Sequence, residues 1–247
     1  MAHHELMMPA VGALLNLDIP VVRHPFLFYA HILRCDQDDS FDELKDALFK
    51  LNQDMSTYYS AYACPKSDRP FVPGEIVAAQ HADQHWYRAR IIHLMDEDEE
   101  FAFSNDQGCI ERVRVFYVDY GHSDTIDSLC LREMKPAFLQ LPFQAVECTL
   151  AKVLSKDSSE MQWSRAATEE FRRLTNTQGG RLQLKAKLLS DTASRLELQL
   201  AYSRDAGRSW RDVGEELVSK GLAAAAACVY QPATAPASKV LLQVFPG

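Results

Sequence analysis

The chain has 247 residues, of which 47% are hydrophobic and 24% charged, with a formal net charge of −8; this fits a soluble globular protein of one large domain or two small ones. No window approaches the ~20 apolar residues that a bilayer crossing needs. The acidic balance argues against sequence-independent nucleic-acid binding, which relies on Lys and Arg neutralising phosphates. It suits a basic partner, drawn in by electrostatic steering. The cysteines Cys35, Cys64, Cys109, Cys130, Cys148 and Cys228 form no CxxC pair, and no histidine spacing completes a zinc pattern, so they are expected to be reduced cytosolic thiols. Met1–Leu17 lacks the basic start of a signal peptide and is expected to be a flanking edge where a longer protein was cut.

Val21–Leu33 is rich in β-branched and aromatic residues and predicts one or two strands, broken near Pro25. Ser40 followed by Glu43 has capping-box spacing, and Phe41, Leu44, Leu48, Leu51 and Met55 recur on one helical face. A helix from about Phe41 to about Tyr62 is expected. Cys64–Pro73, punctuated by proline, is a connector. Between Gly74 and Met134 the pattern turns to short strands: Glu75–His81, Trp86–Leu94, Arg112–Tyr120, Thr125–Leu129 and Leu131–Met134. Such a run predicts a small five-stranded antiparallel barrel, with Gly121 supplying a turn of positive φ. Asp96–Glu100 and Ser104–Gly108 fall at a hairpin tip; the acidic run reads as solvated, or as an attractor for an arginine-rich segment.

Beyond Leu141-Pro142, Ala145–Val153 reads as a strand and Ala166–Leu174 as a helix with Phe171 and Leu174 inward. Arg181–Leu189 and Arg195–Tyr202 read as strands paired about Asp191-Thr192. Arg211–Gly221 reads as a helix closed by Gly221 at C′, and Gln231–Ser238 as loosely held chain. Neither flank of the barrel is complete alone. The expected organisation is therefore one domain built from 18–63 and 141–230 with the barrel, 64–140, inserted, and with 1–17 and 231–247 as flanking segments. The fold class is mainly β with helices (α+β).

No feature of an enzyme emerges. Gly179-Gly180 is an isolated pair, and GxSxG, HExxH and CxxC are absent. His85, His93, His122 and Asp124 match no ligand spacing, so no catalytic residue, metal or cofactor is expected.

The segments PGEIVAAQ (73–80), WYRARI (86–91), VFYVDYG (115–121) and LPFQAVECTL (141–150), in this order and spacing, resemble the extended Tudor family over roughly Pro20–Ala226. The resemblance implies a Tudor barrel inserted into a staphylococcal-nuclease-like, OB-type domain without the nuclease's catalytic residues. It also implies an aromatic cage for a methylated guanidinium, built from cation–π contacts. Carried over position by position, the walls fall on Tyr87, Tyr117 and Tyr120. The wall upstream of Trp86, ordinarily Phe or Tyr, falls on His81, and the Asn that ordinarily follows DYG falls on His122. A neutral imidazole stacks or accepts a hydrogen bond, and a protonated one repels the ligand, so weakened methyl selectivity is expected. Trp86 is expected to pack, and Arg88 and Asp119 to form a structural ion pair.

The family's role implies a module that docks an arginine-containing peptide, Arg-rich or Arg-Gly, of a partner such as a Piwi-type Argonaute. The setting would be piRNA-mediated silencing in cytoplasmic germline granules, and the chain would be part of a longer RNA-silencing protein, such as a helicase. Two other readings remain: single-stranded RNA binding on the nuclease-like surface, and a purely architectural, self-associating domain.

Overall fold

The computed structural model describes residues 8–61, 70–95, 104–105, 108–109, 112–156, 162–177, 182–192 and 195–226. In chain order the strands and helices are β1 (Leu14–His24), β2 (Leu27–Cys35), α1 (Leu44–Ala61), β3 (Ile76–Gln80), β4 (Trp86–Leu94), β5 (Ser104–Asn105), β6 (Gly108–Cys109), β7 (Arg112–Tyr117), β8 (Ser123–Asp127), β9 (Leu131–Glu133), β10 (Val146–Leu150), β11 (Val153–Leu154), α2 (Arg165–Thr175), β12 (Gln183–Thr192), β13 (Arg195–Ser203), β14 (Arg211–Asp212), α3 (Val213–Ser219) and β15 (Ala224–Ala225). The expected Cys64–Pro73 connector, the Asp96–Glu100 run, Gly179-Gly180 and the Gln231–Ser238 tail lie wholly or largely outside the described residues. The chain divides into two compact units, one around 42–145 and the other around 8–41 with the residues from 146 onward.

The first unit is a five-stranded antiparallel sheet in the order β8-β7-β4-β3-β9. Its two outermost strands, β8 and β9, are consecutive in the chain, joined only by the 3₁₀ turn Ser128–Cys130, so the sheet curls on itself. Side chains alternate across a pleated strand. The inward set Val77, Ala79, Ala89, Ile91, Val113, Val115, Tyr117 and Leu131 forms one buried cluster. The opposite face of β3 and β4 is covered by α1: Met55 and Tyr59 pack on Ala78 and Trp86. Trp86 is thus a packing residue.

That contact departs from the expected organisation, because α1 belongs with the barrel unit. The reason is its apolar stripe, which continues past Met55 to Tyr59 and matches the apolar outer positions of β3 and β4. The helix also starts later than the capping box suggests. Asp38 Oδ1 accepts the Ser40 N–H at 2.9 Å, and Phe41 closes a separate 3₁₀ turn, Asp39–Phe41, as a buried residue.

In the second unit the hydrogen-bonded order is β10-β2-β1-β12-β13-β14, and β10 also pairs in parallel with β13. Strands β10, β2, β1, β12 and β13 therefore form a closed five-stranded barrel, the OB-type ring expected from the flanks. At the closure Glu147 on β10 accepts from Arg195 Nε at 2.7 Å on β13 and from Tyr29 Oη at 3.1 Å on β2. Strand β1 begins at Leu14, inside the segment expected to be a flanking edge. Leu15 and Leu17 are buried, and Leu15 and Asn16 pair with Ala186 and Lys185 of β12; the short hydrophobic alternation Leu15-Asn16-Leu17 is a strand signal that a charge-based reading passed over. The break near Pro25 is a tight turn between β1 and β2.

Helix α2 presents Phe171 and Leu174 inward, both buried, and Ser164 Oγ caps it by accepting the Ala167 N–H at 3.1 Å. Helix α3 is shorter than expected because Asp212 intervenes as its N-cap, accepting the Glu215 N–H at 2.9 Å, and Arg211–Asp212 pairs with β13 instead. Gly221 does close it, with φ of +70°. Cys35, Cys130 and Cys148 are free thiols. Glu170 on α2 binds Arg173 at 2.5 Å and Lys220, just beyond α3, at 2.6 Å.

The hydrogen bonds from Arg173, then from Lys220, hold the Glu170 carboxyl down at about 2, with partial burial opposing them. A carboxyl depressed on folding stabilises the protein above its unfolded pKa, and that contribution fades as pH falls through the folded value. Replacing Glu170 by Gln is therefore expected to lower stability by about 1 kcal/mol at pH 7, the scale of a screened, partly exposed pair. In chemical denaturation the difference should shrink between pH 4.5 and pH 2.

Candidate functional site

Strand β4 exposes its side chains to two environments. Tyr87, Ala89 and Ile91 face the barrel interior, while Trp86 and Arg88 lie on the opposite, covered face. Arg88 is fully buried, with Asp119 beside it at 1% exposure. Its Nε–H donates to Asp119 Oδ2 at 2.8 Å and Nη2 to Oδ1 at 2.6 Å. Nη1 donates to the carbonyls of Phe138 and Leu141 at 3.1 and 2.5 Å, and Nη2 also to Pro142 at 3.0 Å. These five bonds match the five N–H donors of a guanidinium. Asp119 Oδ1 further accepts the Gln144 N–H at 3.1 Å. The expected ion pair is therefore also the anchor of Leu141–Gln144.

The ion pair sits between two ring-bearing neighbours in sequence, Tyr87 before Arg88 and Tyr120 after Asp119. In register Tyr87 faces Ala79 of β3, and Tyr117 faces Ala89 of β4, so Tyr87 and Tyr117 are diagonal neighbours on the inner face. Strand β7 ends at Tyr117, and the turn returns on itself. Gly121 N–H and Tyr120 N–H donate to Tyr117 O at 2.8 and 3.1 Å, and Tyr117 N–H to His122 O at 2.9 Å. Gly121 adopts φ of +82°, which a side chain would disfavour. This turn brings Tyr120 and His122 back beside Tyr117. His81 follows β3 at the same end, in the turn to β4.

All five carried-over residues thus meet at one end of the barrel. Tyr87 and Tyr120 stand at 88° with centroids 5.4 Å apart, forming a right-angled corner, and Tyr87 lies at 89° and 6.1 Å from Tyr117. His122 stacks on Tyr117, 4.5 Å away and 25° from parallel. His81 sets its ring near-perpendicular to Tyr117 at 5.5 Å, to His122 at 5.6 Å and to Tyr87 at 6.0 Å. The two imidazoles cover the Tyr117 ring, which is 0% exposed, whereas Tyr87 and Tyr120 remain half-buried. A parallel stack at 4.5 Å has no room for a guanidinium between its members.

Burial raises the hydroxyl pKa of Tyr87, Tyr117 and Tyr120, so all three are neutral phenols at physiological pH. Tyr120 Oη accepts from Asn52 Nδ2 of α1 at 2.8 Å, which fixes that ring, while the Tyr117 hydroxyl is buried without a partner. Tyr87 Oη donates to Asp83 Oδ2 at 2.8 Å. Asn52 and Asp83 were not anticipated from the sequence. Asn52 lies far off in the chain, on a helix that only packing brings near. Asp83 had a local signal, a carboxylate in the turn leading into Tyr87. Among the described residues no group of three or more His, Cys, Asp or Glu is placed to hold a metal ion.

Comparison with known proteins places these features. The family model for the Tudor domain matches residues 19–152. The chain is 36% identical over 128 residues to a Tudor and KH domain-containing protein homolog of Drosophila melanogaster, covering 50% of this chain and 21% of that protein. It spans between 8 and 28% of the length of the first four curated relatives it matches. Among solved structures, the extended Tudor domain TD3 from mouse TDRD1, in complex with a MILI peptide containing dimethylarginine, superposes with a TM-score of 0.73 at 22% identity, covering 90% of this chain and 98% of that one. The extended Tudor domain from BmPAPI in complex with sDMA gives 0.69 at 25% identity, covering 86% and 98%. A variant of the Drosophila melanogaster Papi extended Tudor domain in complex with an unmethylated Piwi N-terminal peptide gives 0.68 at 23% identity, covering 86% and 99%.

Removing one member of a buried ion pair leaves its partner's charge without compensation, at about 3–5 kcal/mol. Asp119→Ala is expected to cost that much in urea denaturation. Arg88→Lys should also destabilise the unit, because one ammonium cannot reproduce the planar five-donor pattern.

Proposed function

The chain belongs to the Tudor domain family, and on that premise we propose that it is a non-enzymatic docking module that holds an arginine-bearing segment of a partner protein. The observation that carries this reading is the convergence of His81, Tyr87, Tyr117, Tyr120 and His122 at one barrel end, with ring centroids 4.5–6.3 Å apart where they touch. Ring faces carry negative quadrupole density, and a guanidinium against each gains about 0.5–2 kcal/mol. Arginine as the ligand is supported by the dimethylarginine peptide held by the TDRD1 domain and the sDMA held by the BmPAPI domain. A Piwi-type Argonaute as the partner, met in cytoplasmic germline granules, is supported by the Piwi peptide held by the Papi domain and by the family's role. The net charge of −8 favours a basic peptide over RNA.

The cage is degenerate in its free form. His122 stands where an amide is the family norm and uses the Tyr117 face for itself. A methylated guanidinium must displace that imidazole to gain a third wall, whereas Tyr87 and Tyr120 each leave part of the ring exposed. Selectivity for methylated over plain arginine is accordingly weak. Calorimetry of the chain with matched Arg-Gly peptides, plain and symmetrically dimethylated, is expected to show no preference for the dimethylated peptide. His122→Asn should then strengthen the dimethylated peptide by about tenfold, the scale of one added cation–π wall. A clear methylated preference in the unaltered chain overturns the degenerate cage. Failure of both peptides to bind overturns the docking function.

A further inference from the structure

We propose that Asp83 is the counter-ion of this cage and its specificity determinant, pairing directly with the N–H groups of an unmethylated arginine seated in the Tyr87–Tyr120 corner; this rests on the arginine-docking reading. The turn between β3 and β4 is closed by His81 N–H donating nothing outward: it bonds His85 O at 2.9 Å, and Gln84 N–H bonds His81 O at 2.9 Å. Gln84 takes φ of +68° to complete it. That conformation turns the Asp83 carboxylate back toward the barrel end. Oδ2 accepts from Tyr87 Oη at 2.8 Å, Oδ1 accepts the His85 N–H at 3.0 Å, and Oδ1 lies 3.5 Å from His81 Nδ1.

The carboxylate is therefore held rigidly by the cage wall it serves, yet its side chain is 45% exposed. An ionised carboxylate offers about four acceptor positions, and two are taken by these hydrogen bonds. Behind burial, its charge adds to the rise in pKa at Tyr87, Tyr117 and Tyr120. Partial burial opposes its ionisation, but the hydrogen bonds from His85 and Tyr87 and the nearby imidazoles outweigh it and lower its pKa. Two other carboxylates bear on the cage: Asp119 acts on Tyr120 but is already paired with Arg88, and Asp124 acts on Tyr117, the ring already covered.

The chemistry then favours the plain guanidinium. A ring wall gains from methyl groups, which lower the cation's desolvation cost. A carboxylate gains from N–H donors, which methylation removes from the fork. With Tyr117 covered, the ring contribution is reduced and the carboxylate's share rises.

Asp83→Asn removes the charge; its Oδ1 still accepts the His85 N–H, and its Nδ2 donates to Tyr87 Oη, which turns from donor to acceptor, so the turn is preserved; an unchanged thermal midpoint verifies this. The test is calorimetry of the full chain with three peptides of one Arg-Gly sequence carrying arginine, symmetric dimethylarginine or neutral citrulline. Asp83→Asn is expected to weaken the arginine peptide about tenfold, the scale of a hydrogen bond to a charged group, to weaken the dimethylated peptide less, and to leave citrulline unchanged. Asp124→Asn should change none of them appreciably. Equal weakening of all three peptides by Asp83→Asn, or no weakening of the arginine peptide, overturns the role of Asp83. In either case Tyr120→Ala abolishing arginine binding leaves the docking reading intact, whereas an unaltered chain that binds no arginine peptide ends both.

Discussion

The buried pair between Arg88 and Asp119 is the constraint on which the site depends. Two charges taken out of water need their partners and every remaining donor satisfied, and this pair achieves that with three carbonyls and one backbone N–H drawn from 138–144. The geometry leaves little tolerance. Arg88 fixes the start of β4, and with it Tyr87 on the opposite face. Asp119 fixes the turn after β7, and with it Tyr120. One electrostatic clamp on the covered face thus sets the corner of rings on the other.

Around that clamp the proposed site combines two ways of holding a cation. Three tyrosines supply quadrupole density, but one is covered by imidazoles, with His122 in face-to-face contact. Asp83 supplies a full charge at the rim, anchored through Tyr87. A cage of rings alone rewards a large, weakly hydrated cation; a cage with a carboxylate rewards one that still carries N–H donors. Tyr120 takes part in both, and its orientation comes from Asn52 on α1, so the helix that covers the barrel also tunes the cage.

The sequence made much of this legible, for identifiable reasons. The run of short strand signals between Gly74 and Met134 placed Trp86–Leu94 with both ends where β4 has them. Gly121 announced a turn because few other residues accept its φ. The likeness of FYVDYG and WYRAR to a known family pointed to five positions that the fold then gathered. The misses have equally concrete origins. Leu14–Leu17 is too short an alternation to stand out as a strand until β12 and β2 pair with it. The capping box at Ser40 lost to a 3₁₀ turn organised by Asp38, and the helix after Arg211 was shortened by a better cap at Asp212. Helix α1 was assigned to the wrong unit because its amphipathic stripe says that it packs but not on what.

What the amino-acid sequence determined by itself is the set of local commitments: which segments are strands, where glycine must turn the chain, and which ring-bearing residues fall at strand ends. These follow from periodicity and backbone sterics, which act within a few residues. What only the tertiary structure decided is which of those residues touch. The stacking of His122 on Tyr117, the tether from Asn52 to Tyr120 and the five-donor burial of Arg88 join positions far apart in the chain, or on faces whose partners no local pattern specifies. They exist because the sheet curls and closes on its own side chains.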